Sequence, residues 1–132
     1  MATRILVVDD EPDIRQLVSD VLESGTGEYE INHAVDGEDA LTKVATKKPD
    51  LVILDIMMPR MDGLETCRRL RASEATKNIP VILLTVKAGM ESRDEGFGCG
   101  ADLYITKPFD PEELRRMVKG ILSGEIKRGE KS

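Results

Sequence analysis

The chain has 132 residues, a single-domain length that is sufficient to bury a core. It is 40% hydrophobic and 33% charged, with two Tyr, two Phe and no Trp, so a globular core has to be built from Val, Ile and Leu. A formal net charge of -6 argues against direct nucleic-acid binding, and no apolar run approaches the roughly 18 to 20 residues of a membrane-spanning helix.

Taken in chain order, strands and helices alternate. Arg4-Ile5-Leu6-Val7-Val8 reads as a strand buried on both faces and runs into Asp9-Asp10. Ile14, Leu17, Val18, Val21 and Leu22 then repeat at helical spacing, with Pro12 suited to the first turn and Gly25 and Gly27 placed to stop the helix. Tyr29 to Ala34 is a weaker, more polar strand, expected at a sheet edge. Asp36 can cap a second helix carrying Ala40, Leu41, Val44 and Ala45 on its buried side. Leu51-Val52-Ile53-Leu54 is a third apolar run and ends in Asp55, before Met57-Met58-Pro59. Asp62-Gly63 opens a third helix with Leu64, Cys67 and Leu70, and Val81-Ile82-Leu83-Leu84 runs into Thr85. A fourth helix is expected over roughly Met90 to Cys99, weakened by its glycines. Leu103-Tyr104-Ile105-Thr106 is a fifth strand, followed by Lys107-Pro108. Asp110-Pro111-Glu112-Glu113 opens a fifth helix with Leu114, Met117, Val118, Ile121 and Leu122 at helical spacing. Residues 1–123 therefore read as one α/β domain, a parallel sheet with helices on both faces, and residues 124–132 as a polar tail or the start of a linker. The start Met-Ala-Thr-Arg leads straight into a strand without a visible signal peptide, so the expected compartment is the cytoplasm. Cys67 and Cys99 form no metal or redox motif and read as reduced core or surface residues; the single His33 receives no role.

If the strands are parallel, Asp9, Asp10, Asp55 and Thr85 meet at the carboxyl edge of the sheet, where α/β proteins place their chemistry. Gathered carboxylates repel one another until a proton or a cation intervenes. Oxygen ligands without His or Cys select a hard cation, Mg2+, with Mn2+ as a substitute. A carboxylate beside such an ion can attack phosphorus and become an aspartyl-phosphate. The three charged phosphoryl oxygens then need partners: the cation, the Thr85 hydroxyl with nearby backbone N–H groups, and a lysine. Lys107 is the candidate, because Pro108 forces it out of the helical region and turns the chain sharply. Each of these features has a plain structural reading, an Asp as a helix cap or a Lys-Pro as surface; their joint appearance at the ends of successive strands is harder to dismiss.

Four segments carry a resemblance: Val8-Asp9-Asp10-Glu11; Leu54-Asp55-Ile56-Met57-Met58-Pro59 with Asp62-Gly63; Leu84-Thr85; and Tyr104-Ile105-Thr106-Lys107-Pro108-Phe109. On these the chain resembles the CheY-like receiver domains of two-component response regulators, over about residues 3 to 123. The resemblance implies a flavodoxin-like five-stranded sheet of order 2-1-3-4-5 with five helices. It implies a signalling switch in phosphorelay signal transduction, not an enzyme beyond its own phosphoryl transfer and slow autodephosphorylation. Asp55 would accept the phosphoryl group from a sensor histidine kinase. Asp10 would bind Mg2+ directly and Asp9 largely through water, with Asp55 and the backbone carbonyl of Met57 completing the metal ligands. Lys107 would pair with the phosphoryl oxygens, through a cis peptide to Pro108. Thr85 and Tyr104 would be the switch pair. The implied partners are the kinase and an output domain or downstream protein, with no cofactor besides the metal.

Met57 and Lys87 occupy the positions that tune phosphoryl lifetime in that family; the apolar Met57 should not orient an attacking water, so slow to moderate self-dephosphorylation is expected. The wording of the motifs looks most like the winged-helix transcription-factor branch, which dimerises through the fourth helix, fifth strand and fifth helix. Arg93 and Glu113 fall where one charge pair of that interface is expected, but Leu103 and Met117 are apolar where another would be. A homodimer through that face is therefore left open, and Leu103 and Met117 read equally as core. A haloacid-dehalogenase-type phosphatase, which also uses a Mg2+-bound Asp, wants a second Asp two residues later, where Met57 stands.

Overall fold

The computed structural model describes residues 3–24, 28–85 and 99–126. These hold five strands and four helices: β1 (Thr3–Val8), α1 (Pro12–Glu23), β2 (Tyr29–Ala34), α2 (Gly37–Thr46), β3 (Leu51–Asp55), α3 (Gly63–Ala72), β4 (Val81–Thr85), β5 (Leu103–Thr106) and α4 (Pro111–Ser123). Five helices were expected. The fourth of these, expected over Met90 to Cys99, lies outside the described residues except for Cys99, which forms a turn with Gly100.

All neighbouring strands pair in parallel, in the order β2-β1-β3-β4-β5. Alternation along the strands divides the core in two. Leu6, Val8, Val52, Leu54, Val81, Leu83 and Tyr104 face Ala40 and Val44 of α2 and Leu64, Cys67 and Leu70 of α3. Ile5, Val7, Ile53, Ile82, Leu84, Leu103 and Ile105 face Val18, Val21 and Leu22 of α1 and Leu114, Val118 and Ile121 of α4. Continuous apolar strands are what a sheet covered on both sides requires, and β3 and β4 are buried throughout. The polar β2 lies at the edge, as its composition predicts. Leu103 is fully inside the core and Met117 packs against it, so the apolar pair resolves as core packing.

Asp36, Asp62 and Asp110 cap α2, α3 and α4 through side-chain bonds to backbone N–H groups of Asp39, Glu65 and Glu112. The first helix differs. Its N-cap is Glu11, which makes no side-chain cap bond, and Pro12 follows. Asp10 is thus not used as a cap. Beyond α4, Gly124 takes a left-handed φ of 85° and the Ile126 N–H donates to the Gly120 carbonyl at 3.1 Å, so Ile126 folds back against the core. The first residues after α4 are therefore tied down, which the polar sequence around Ile126 did not suggest.

Gly63 sets how closely α3 approaches the end of β3. A Cβ there would overlap the Asp55 carbonyl oxygen and lie 2.8 Å from the Ile56 Cα. Both obstacles are backbone and cannot rotate away. Gly63→Ala is expected to destabilise the fold by about 2 kcal/mol, read as a lower urea midpoint at unchanged slope.

Candidate functional site

The parallel register brings the ends of four strands to one edge. Asp9 follows β1, Asp55 closes β3, Thr85 closes β4 and Lys107 follows β5. Asp55 stands opposite Leu84, so Thr85 projects one residue beyond it, paired in turn with Thr106. The Lys107 N–H donates to the Thr85 carbonyl at 2.6 Å, which extends the β4–β5 ladder up to the lysine, and the Lys107–Pro108 peptide is cis.

Lys107 reaches back across the edge. Its Nζ lies 3.0 Å from Asp9 Oδ2 and 3.1 Å from Asp55 Oδ1. Asp9 is completely buried and Asp55 almost so, at 2% exposure, while Asp10 is exposed. One oxygen from each of Asp9, Asp10 and Asp55 falls within 4.8 Å of the others. Asp9 is held by the Glu11 N–H, which donates to Oδ1 at 2.9 Å, and by Arg15, whose Nη1 donates to the Asp9 carbonyl at 2.6 Å. Arg15 was not singled out from the sequence: it comes back from the first turns of α1, and nothing in its spacing marks it.

The charges do not balance. Three carboxylates face the Lys107 ammonium and the Arg15 guanidinium, which leaves negative charge in excess. Burial, and then the neighbouring Asp9 charge, push Asp55 up to about 6, although Lys107 opposes both. Burial alone would lower Lys107, but the hydrogen bond to Asp9 and the charge of Asp55 outweigh it and hold the ammonium above its usual range. Asp55 Oδ1 is enclosed by protein, and although the ammonium is within ion-pair distance it lies off the direction of a hydrogen bond. An enclosed oxygen with unspent acceptor capacity and an excess of negative charge fits a divalent hard cation.

The loop after Asp55 forms one wall. The Ile56 N–H continues the sheet to the Leu84 carbonyl, and the Met58 and Gly63 N–H groups both donate to the Ile56 carbonyl. Arg60 takes a positive φ of 66° and its guanidinium meets Asp36 at 2.7 Å, fixing the loop to the start of α2. A groove of about 410 Å³ opens between Asp10 and Ile56, Met57, Met58, Pro59 and Asp62. The Met57 side chain is exposed, so its apolar surface borders this groove. Thr85 and Tyr104 are both buried, Tyr104 with its ring in the α2–α3 half of the core. Lys87 and Arg93 lie outside the described residues.

A second polar group is buried away from this edge. Asp102, at the head of β5, accepts from the Arg71 guanidinium and from the Val81 N–H, both at 2.8 Å. The Arg71 Nε and Nη1 go to the carbonyls of Gly100 and Ile79 at 2.8 and 2.6 Å. Gly100, at φ 95°, allows this approach, since a Cβ would lie 2.7 Å from the Arg71 Cγ. A last-turn Arg on a helix and an Asp before a strand read as surface in the sequence; only their meeting marks them.

No helix among the described residues is long and apolar enough to cross a membrane. The family model for the response regulator receiver domain matches residues 5–119. The chain is 44% identical over 119 residues to the DNA-binding dual master transcriptional regulator RpaA of Synechocystis, covering 90% of this chain and 48% of that protein. It is 44% identical over 122 residues to the alkaline phosphatase synthesis transcriptional regulatory protein PhoP of Bacillus subtilis, covering 92% and 49%. The chain thus spans about half the length of these curated relatives. In structure it is similar to a response regulator from Chloroflexus aurantiacus, with a TM-score of 0.88 and 35% identity over 93% of this chain and 99% of that one.

Proposed function

The chain belongs to the response regulator receiver domain family, and on that premise we propose that it is a phosphorylation-driven switch whose acceptor is Asp55. The observation that carries this reading is the pair of contacts from one ammonium to two buried carboxylates beside an exposed third. An Asp55 oxygen attacks phosphorus in line. The P–O bond forms as the P–N bond to the kinase histidine breaks, and the imidazole keeps the electron pair. Asp9, Asp10, Asp55 and the Met57 carbonyl would hold Mg2+, which supplies charge neutralisation for one phosphoryl oxygen. Lys107 gives up part of its ion pair with Asp55 and turns to a second oxygen, while the Thr85 hydroxyl donates to the third. Thr85 and Tyr104 then report the state to the face beyond β5, a two-state element biased by one charged group.

Because the regulators it resembles are described as transcriptional, the partner on that face is an output domain or protein of that kind, with a sensor histidine kinase as the donor and the cytoplasm as the place of action. The net charge of -6 keeps nucleic-acid contact with the partner and not with this chain. A homodimer would have to use Met117 and Glu113 without Leu103, which the core has taken.

The test is labelling with a small acyl phosphate. We expect one phosphoryl group per chain, mapped to Asp55 by mass spectrometry, and loss of labelling on chelation of Mg2+. Decay after donor removal should be slow, over minutes or longer, because the exposed apolar Met57 orients no water. Labelling that persists without a divalent ion would overturn the metal assignment, and a lifetime of seconds would overturn the role of Met57.

A further inference from the structure

Cys67 and Cys99 lie 32 positions apart in sequence and meet inside the α2–α3 half of the core. Both are free and buried. The Cys67 thiol donates to the Cys99 carbonyl at 3.5 Å, which sets the two cysteines side by side in the core. The contact with Cys99, and then burial, raise the Cys67 thiol, while the contact with Cys67 lowers the Cys99 thiol against its own burial. The charges of Arg68 and Arg71 add to this.

The two cysteines lie on different elements. Cys67 sits within α3. Cys99 sits in a turn, outside the sheet ladder, and its neighbour Gly100 is anchored to α3 by the Arg71 Nε at 2.8 Å. Arg71 lies one helical turn beyond Cys67, so the same face of α3 that carries the thiol also fixes the turn that faces it.

We propose that Cys67 and Cys99 form a dithiol site that peroxide converts into an intrachain disulfide, joining α3 to the turn at the head of β5. The Cys99 thiolate attacks one peroxide oxygen; the O–O bond breaks, and the departing oxygen takes a proton to leave as water, giving a Cys99 sulfenic acid. The Cys67 sulfur, giving up its proton, attacks the sulfenic sulfur and displaces a second water. Two electrons pass from the sulfur pair to one hydrogen peroxide, and the sum is two thiols plus hydrogen peroxide giving one disulfide plus two waters. Neither sulfur takes part in the chemistry at Asp55, so the inference stands apart from the phosphoryl reading.

The experiment treats the folded full chain with hydrogen peroxide, then unfolds it in urea and counts thiols with a maleimide. The expected result is loss of both thiols, a monomer lighter by two hydrogens, a proteolytic fragment linking Cys67 to Cys99, and full reversal by dithiothreitol. Cys67→Ser is expected to stop at the Cys99 sulfenic acid, trapped by dimedone. Two thiols that remain open to alkylation would overturn the proposal. So would a disulfide between two chains, or a sulfinic acid on Cys99 without the link. The main readout uses the unaltered chain, so it holds even if the Ser variant does not fold.

Discussion

Asp55→Asn is expected to abolish labelling by an acyl phosphate and, in the same protein, to raise stability at neutral pH. The first effect follows from chemistry: an amide oxygen does not attack phosphorus at a useful rate, so incorporation should fall at least about a hundredfold, to background. The second follows from burial. In the folded chain Asp55 is pushed up to about 6, against roughly 3.9 for an ordinary carboxyl, and the difference amounts to about 2 to 3 kcal/mol of stability lost on ionisation. The folded state binds the proton more tightly than the unfolded one. The stabilising contribution of the protonated group is therefore complete below about pH 4 and is lost as pH rises through about 6. Asparagine imitates the protonated form at all pH values, so the variant should match the parent near pH 4 and exceed it by about 2 kcal/mol above pH 7. Urea midpoints measured in the presence of chelator at those two pH values check this, and added Mg2+ should narrow the gap by neutralising the parent's excess charge. Undiminished labelling of the variant would remove Asp55 as acceptor. Equal midpoints at pH 7 would show that Lys107 fully offsets the burial of the charge.

Arg71→Met is expected to cost about 3 to 5 kcal/mol, the largest stability loss considered for a single side chain, although Arg71 is remote from the phosphoryl chemistry. Its guanidinium satisfies Asp102 and the carbonyls of Gly100 and Ile79, and Asp102 is almost completely enclosed. Removing the cation takes the charge partner from a buried carboxylate that also accepts from the Val81 N–H. Methionine keeps most of the packed stem, so the loss measures the polar network and not a cavity. Asp102→Asn is expected to cost much less, because an amide oxygen can still accept from both Arg71 and Val81. The combination of both changes should cost less than their sum, since the stranded charge is then gone. Denaturant unfolding of the three variants measures these differences. An Arg71 variant within about 1 kcal/mol of the parent would mean that water reaches Asp102 and replaces the guanidinium.

The two expected results differ in how visible their residues are. Asp55 was legible because a carboxylate at the end of Leu51-Val52-Ile53-Leu54 conflicts with the apolar run before it. Arg71 and Asp102 were not, because a charged residue in a helix's last turn or before a strand conflicts with nothing locally. Cys67 and Cys99 were read separately as core or surface residues for the same reason. Their pairing depends on α3 lying across the head of β5.

By itself the sequence determined the alternation of the described elements, the edge position of β2, the caps at Asp36 and Asp110, and the gathering of Asp9, Asp55, Thr85 and Lys107 at one edge. These are consequences of local periodicity and of the single rule that parallel strands end together. The tertiary structure decided the rest: that Asp10 is exposed and free of capping, that Lys107 bridges Asp9 and Asp55, that Leu103 belongs to the core, and that Ile126 folds back on Gly120. Each of those depends on a contact between residues distant in the chain, or on which side of a strand a residue faces once the helices have packed. Periodicity along the chain specifies which residues are apolar; it carries no information on which distant partner each one meets.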